Sequence, residues 1–196
     1  MSCQRTVRPG NAKWRMDLPD HALAANYQFL ARYNRWMNGR LFDACEQLSD
    51  ADRRLDRGAF FGSITASLNH LLWADRMWLG RFAAQGVEFP ALASSGLLEL
   101  PADAVHGTTI HEDWVQLRKA REALDVAIEA WVRDMPEDFL TRNMRYSNTK
   151  GVLRDHPAWQ ALTHLFNHQT HHRGQITTLL SQAGVDVGMT DLIALV

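Results

Sequence analysis

Ala161, Leu165, His168, His172, Ile176 and Leu179 follow one another at three- and four-residue spacing, so one helix face is apolar except where two imidazoles interrupt it. Trp159, Leu162 and Leu180 extend the same helical period. Such a face points into a core, and a buried imidazole without a partner costs roughly 1–3 kcal/mol. His168 and His172 stand one turn apart, with Cβ atoms roughly 5–6 Å from each other, close enough to converge on one metal ion. The other reading is a pair of core histidines hydrogen-bonded to carbonyls or carboxylates, and the spacing alone does not choose between them. His164 is about 12 Å along the axis from His172, so one ion cannot take all three, and a third ligand must come from another helix.

Three more amphipathic helices are legible. Leu23, Tyr27, Leu30, Asn34, Met37, Leu41, Cys45 and Leu48 mark a long first helix from about residue 20, with Pro19 near its first turn and Asp17 or Asp20 as its cap. Asn34, an amide on an apolar stripe, reads as an interhelical strut or as a pocket group. After the polar turn Ser49-Asp50-Ala51-Asp52, a second helix is expected from about Phe60 to Gln85, its main apolar side marked by Ile64, Leu68, Leu71, Leu72, Leu79 and Phe82. His70 falls on a different side, among Ser63, Ala66, Ser67, Trp73, Ala74 and Met77. Small residues around one histidine leave room for a cavity or for another helix, which makes His70 the candidate third ligand. A histidine bonded to a neighbouring turn is the alternative. Asp75 lies about 140° round the helix from His70 and is better placed for a salt bridge to an arginine of another helix.

Residues 86–108 hold glycines, prolines and serines without a sustained period, which predicts a long crossover connection that lets the second and third helices run parallel. Thr109 to Glu112 has capping-box spacing, and Ile110, Trp114, Leu117, Leu124, Ile128, Trp131 and Met135 stripe a third helix. Asn143 to Arg154 alternates around a turn-rich centre and predicts a small β-hairpin. The fourth helix is expected to start near Pro157 and to end before Gly184, with one further helical turn within Met189–Val196. The sum is an all-α chain, a four-helix bundle with a long connection between helices two and three and a hairpin before helix four.

At 196 residues and 46% hydrophobic, residues 17–196 fit one domain with a substantial core. Residues 1–16 carry four basic side chains and no acid, and read as a disordered tail or as sequence upstream of a start at Met16. A net charge of −1 gives no electrostatic footprint for nucleic acid. No apolar run approaches a bilayer span, and no signal peptide is evident. Cys3 and Cys45 can build neither a disulfide framework nor a cysteine zinc site, and they suit a reducing cytoplasm. No Glu precedes a His by three residues, so the di-iron Glu-x-x-His pattern is absent. The histidine run also lacks the glutamate of HExxH zinc proteases. His21, His106, His111 and His156, near helix starts or in loops, are expected to be solvated.

The stretch Leu68-Asn69-His70-Leu71-Leu72-Trp73-Ala74-Asp75, followed about a hundred residues later by Asn167-His168-Gln169-Thr170-His171-His172-Arg173-Gly174-Gln175, resembles the DinB/YfiT-like metalloenzyme family over roughly residues 20–183. Tyr33 to Asn38 and the hairpin fit the same pattern. The resemblance implies a four-helix bundle in which His70, His168 and His172 bind a divalent metal, nickel or zinc. Asn34, His164, His171, Arg173 and Gln175 are left to support the ligands from behind, to line a pocket or to brace the helices. It further implies a thiol-dependent S-transferase, in which the metal activates a low-molecular-weight thiol co-substrate such as bacillithiol or glutathione for transfer to a small electrophile, and a homodimer acting on a small molecule. A metal-dependent hydrolase and a non-catalytic metal-binding or stress-response protein are the alternatives.

Overall fold

The computed structural model describes residues 21–196. The tail expected over residues 1–16, the Met16 start and the Pro19, Asp17 and Asp20 cap lie outside them. Five α-helices and one two-stranded sheet follow in the order α1 (His21–Cys45), α2 (Asp50–Arg54), α3 (Ile64–Ala83), α4 (Trp114–Arg133), β1 (Asn143–Ser147), β2 (Leu153–Pro157) and α5 (Ala158–Gln182), with short 3-10 turns at Pro90–Leu92, Glu137–Thr141 and Leu192–Leu195. α1 packs on α4 and α5, and α3 packs on α5 and α4. Among the described residues no helix is long and apolar enough to cross a membrane.

The apolar stripes meet where the periodicity placed them. Leu41, Leu71, Leu72, Leu79, Leu117, Leu124, Ile128, Leu162 and Ile176 are buried. Trp131 joins Phe82 and Phe139 at the end of the core remote from the histidines. β1 and β2 pair antiparallel with Met144 opposite His156 and Tyr146 opposite Arg154, as the alternation predicted.

Three expected boundaries change. The polar turn at Ser49–Asp52 opens the short helix α2, because the Ser49 hydroxyl accepts from the Asp52 amide and so caps it. α3 begins at Ile64 rather than Phe60. Ser63 is its cap, and Gly58 and Gly62, both at φ +75°, close a tight turn between them that no helix could continue through. The capping box at Thr109–Glu112 does not form. Asp113 caps α4 instead, accepting from the Gln116 amide, while the Ile110 and His111 amides both donate to Asn69 Oδ1 on α3. At the far end of α5, Gly184 at φ +79° ends the helix as expected.

A ring of buried polar side chains passes through all four long helices. Arg173 of α5 donates to Asn34 of α1, and Asn34 donates to Asp125 of α4 at 3.1 Å. Asp125 pairs with Arg121 at 2.8 Å, Arg121 donates to Asp75 of α3 at 2.6 Å, and Gln169 of α5 donates back to Asp75 at 2.5 Å. Asn38 adds two bonds to Asp125. Burial pushes the Arg173 guanidinium down to about 10, which still leaves it charged at neutrality. Two carboxylates and two guanidiniums therefore balance inside a core that water does not reach.

Candidate metal centre

His70 comes from the middle of α3, and His168 and His172 from consecutive turns of α5, the helix that packs on it. Their ring nitrogens meet. His168 Nε2 lies 3.2 Å from His70 Nε2 and 3.1 Å from His172 Nε2. The three donor atoms all fall within 4.8 Å of one another, so the group could hold a metal ion. Nitrogens at ~2.0–2.1 Å from a tetrahedral ion sit about 3.3 Å apart, which the two short separations match. Hydrogen bonding cannot account for the cluster equally well. Each ring nitrogen has one in-plane site, so His168 Nε2 cannot serve both neighbours, whereas one cation at the centre serves all three.

The site also sets the protonation its ligands need. Burial, then the neighbouring histidines, pushes His70 down to about 3, and burial followed by His172 and His164 does the same for His168. Burial lowers His172 as well. All three are neutral at pH 7, the form that binds metal. Gln175 Oε1 is 2.7 Å from His172 Nδ1, and because a carbonyl oxygen only accepts, Nδ1 must carry the proton. That leaves the Nε2 lone pair directed at the cluster.

The other polar residues near the motifs separate by location. Gln175 supports His172 directly. His171 is exposed, with Nε2 3.4 Å from Gln175. His164 is not among the converging donors; its ring lies 5.7 Å from that of His168 and 5.0 Å from Trp78. Asn34 and Arg173 belong to the buried ring and not to the triad's surroundings. Asp75, spoken for by Arg121 and Gln169, gives the triad no carboxylate, and its partner is the arginine of another helix expected of it.

Two residues that periodicity could not find complete the surroundings. Phe61, held in the turn before α3, stacks on His70 with ring centroids 4.0 Å apart and planes 22° apart, and closes that side. His106, from the long connection, is exposed as expected, yet its ring lies 4.8 Å from that of His70. Asn69 holds this connection against α3, accepting from Ile110 and His111 and donating to the His111 carbonyl. A cavity of about 230 Å³ opens beside the triad, lined by His70, His168, Trp73, His106, Arg81 and Asn148 among others. A larger cavity, about 1070 Å³, lies elsewhere, between α1, α4 and residues 91–97. We locate the functional centre by the converging donors, which the larger cavity lacks.

Burial pushes the Cys45 thiol up to about 12, so it is no nucleophile at neutral pH.

Protein DinB of Bacillus subtilis strain 168 is 24% identical over 163 residues, covering 83% of this chain and 88% of that protein. No solved structure gives a significant match. The DinB family model matches residues 21–195, a span that takes in all three converging histidines, and the chain belongs to the DinB family.

Proposed function

We propose that this chain folds as a four-helix bundle holding nickel or zinc on His70, His168 and His172, and that it activates a low-molecular-weight thiol for transfer to a small electrophile. One observation carries the reading: three neutral imidazoles converge from two helices beside a cavity. Three donors leave coordination positions free, the arrangement of catalytic rather than structural sites. A divalent ion bound there would hold a thiol as its thiolate near neutral pH.

The chain's own residues supply the rest. Gln175 fixes the tautomer of His172, and Phe61 shields His70 from water. Arg81, Asn148 and Thr149 offer cationic, amide and hydroxyl groups along the cavity for a co-substrate larger than the reacting sulfur. Hydrolysis is disfavoured because no Asp or Glu lines this cavity, leaving no carboxylate base for an attacking water. A storage or sensing role would not call for an open cavity beside the donors.

The test is elemental analysis of tag-free protein, repeated after chelation and for His70→Ala. The loaded protein is then assayed for consumption of thiols in the presence of electrophile panels. About one metal ion per chain, lost in the variant, together with thiol consumption, supports the reading. Absence of metal after loading returns the histidines to core packing. Stoichiometric metal without turnover of any thiol favours the non-catalytic alternative.

A further inference from the structure

A second cavity, about 340 Å³, adjoins the one beside the triad. The two share Trp78, Arg81, Asn148 and His164 as walls, so they form one trough from the histidines to the base of the hairpin. Arg81 and Arg154 line it, and no Asp or Glu does. Among the described residues neither trough arginine has an acid partner, in contrast to Arg35, Arg54, Arg118, Arg133, Arg142 and Arg145.

Arg81 is the better placed of the two. Its guanidinium lies 4.7 Å from the ring centroids of both Trp78 and Tyr146, and Nη2 donates to the Ser147 carbonyl at 3.2 Å. Among the described residues it has no carboxylate partner. The aromatic faces hold it half-buried, and an arginine so placed stays charged at neutral pH. Among the described residues the Ser147 carbonyl is the one acceptor its guanidinium meets, and an anion entering the trough would find the remaining N–H groups in a position already fixed.

The spacing to the triad limits the ligand's length. His70 and Arg81 are eleven residues apart on α3, which is about 16 Å of helix rise and about 20° of rotation, so they share a face. Helical side chains lean back toward the N-terminus, and Arg81 does so, over Trp78 one turn earlier. Its charge therefore stands roughly 10–13 Å from the triad. Free cysteine, with its carboxylate two bonds from the carbon bearing sulfur, is too short for both ends. A thiol extended by two or three further units is not.

We propose that Arg81 is the anchor for a terminal carboxylate of the thiol co-substrate, with the trough holding the body of the molecule and Arg154 adding long-range attraction at its outer end. The inference rests on the thiol reading for the placement of sulfur, but the anion subsite can be tested apart from it. The chemical class is a low-molecular-weight thiol with one carboxylate or a dicarboxylate about 10 Å from sulfur, as in a tripeptide thiol or a malate-terminated one.

The experiment uses calorimetric titration of the zinc-loaded protein and of Arg81→Gln and Arg81→Lys. The probes are S-methylglutathione, S-methylbacillithiol and cysteamine, the first two with carboxylates and no free thiol, the last a thiol without a carboxylate. We expect one S-methyl probe to bind and to weaken at least tenfold in Arg81→Gln, with most of the affinity kept in Arg81→Lys. Which of the two binds identifies the carboxylate end. Cysteamine affinity should be unchanged in both variants. If neither S-methyl probe binds, or if Arg81→Gln binds it as well as the parent does, the anchor is overturned. Equal loss for the S-methyl probe and cysteamine also overturns it, because Arg81 would then act only by holding the hairpin. If cysteamine fails to bind anywhere while an S-methyl probe binds through Arg81, the anion subsite stands and the thiol reading falls.

Discussion

Replacing Arg121 by methionine tests whether the buried polar ring fixes the arrangement of the helices. Arg121, Asp75 and Asp125 are only 2%, 1% and 3% exposed, so their charges are compensated by one another and not by water. Arg121→Met keeps the volume and removes the cation between two carboxylates. Breaking a buried pair from one side costs about 3–5 kcal/mol, because the remaining charge stays buried and unpaired. Here two carboxylates are stranded, and protonation relieves part of the loss, since burial already raises Asp125 to about 6. We therefore expect about 3–5 kcal/mol, or roughly 6–20 °C in Tm at 2–4 °C per kcal/mol for a chain of this size. Urea unfolding in EDTA, followed by tryptophan fluorescence, measures it free of any metal contribution. The double variant Arg121→Met/Asp125→Asn removes one charge of each sign, leaves Asp75 to balance Arg173 and keeps an acceptor for Asn34, so it should recover much of the stability. A single variant that costs under about 1 kcal/mol, or a double variant no more stable than the single, would refute the reasoning.

Three further outcomes are expected. Gln175→Leu removes the acceptor that fixes the His172 tautomer and should weaken metal binding by roughly 10–100-fold, read by competition with a chromophoric chelator; an unchanged affinity would show that the 2.7 Å contact does not orient the ring. In metal-free protein His70 and His168 are held down to about 3 while the unfolded chain titrates them near 6.5. Between those values the unfolded state binds more protons, so their effect is absent above about pH 7 and stability falls as pH drops from 6.5 toward 3. Urea midpoints at pH 7.5 and 5.0 should show this fall, and His70→Phe/His168→Phe should reduce it; equal slopes would remove these two residues as the cause. Asn69→Leu discards the three bonds holding Ile110 and His111 to α3, and should make residues 86–113 cleave faster under limited proteolysis while α3 itself resists.

The sequence carried the helices and the pairing of His168 with His172 because both depend on local period, whereas His70 was reached from the small residues on its side of α3 and from the family resemblance. Four-residue spacing is enough to put His168 and His172 on one face, and the apolar neighbours of that face say it is buried. The partners across helices were harder to read. Asp75 could be assigned to an arginine of another helix, but nothing in the local pattern chose Arg121 over the other arginines or closed the ring through Gln169 and Asn34. The cap of α4 was misplaced because Thr109 and Glu112 have the right spacing, while the competing use of the Ile110 and His111 amides by Asn69 is a tertiary contact. Phe61 and His106 were invisible for a related reason. They reach the triad from connections whose path is set by Gly58, Gly62 and Asn69, and no periodicity reports a path.

The three converging imidazoles stand on two regular helices, whereas Phe61, His106 and the Asn148–Thr149 tip come from three separate connections. Backbone hydrogen bonding within α3 and α5 keeps the donors at a constant spacing whatever the connections do. Insertions or substitutions in residues 55–63, 86–113 or 148–152 can therefore alter which molecules reach the ligands while leaving the ligand geometry alone. One scaffold of this kind can diversify its substrates by exchanging loops, and grafting those three segments between relatives is the direct way to move a specificity from one to another.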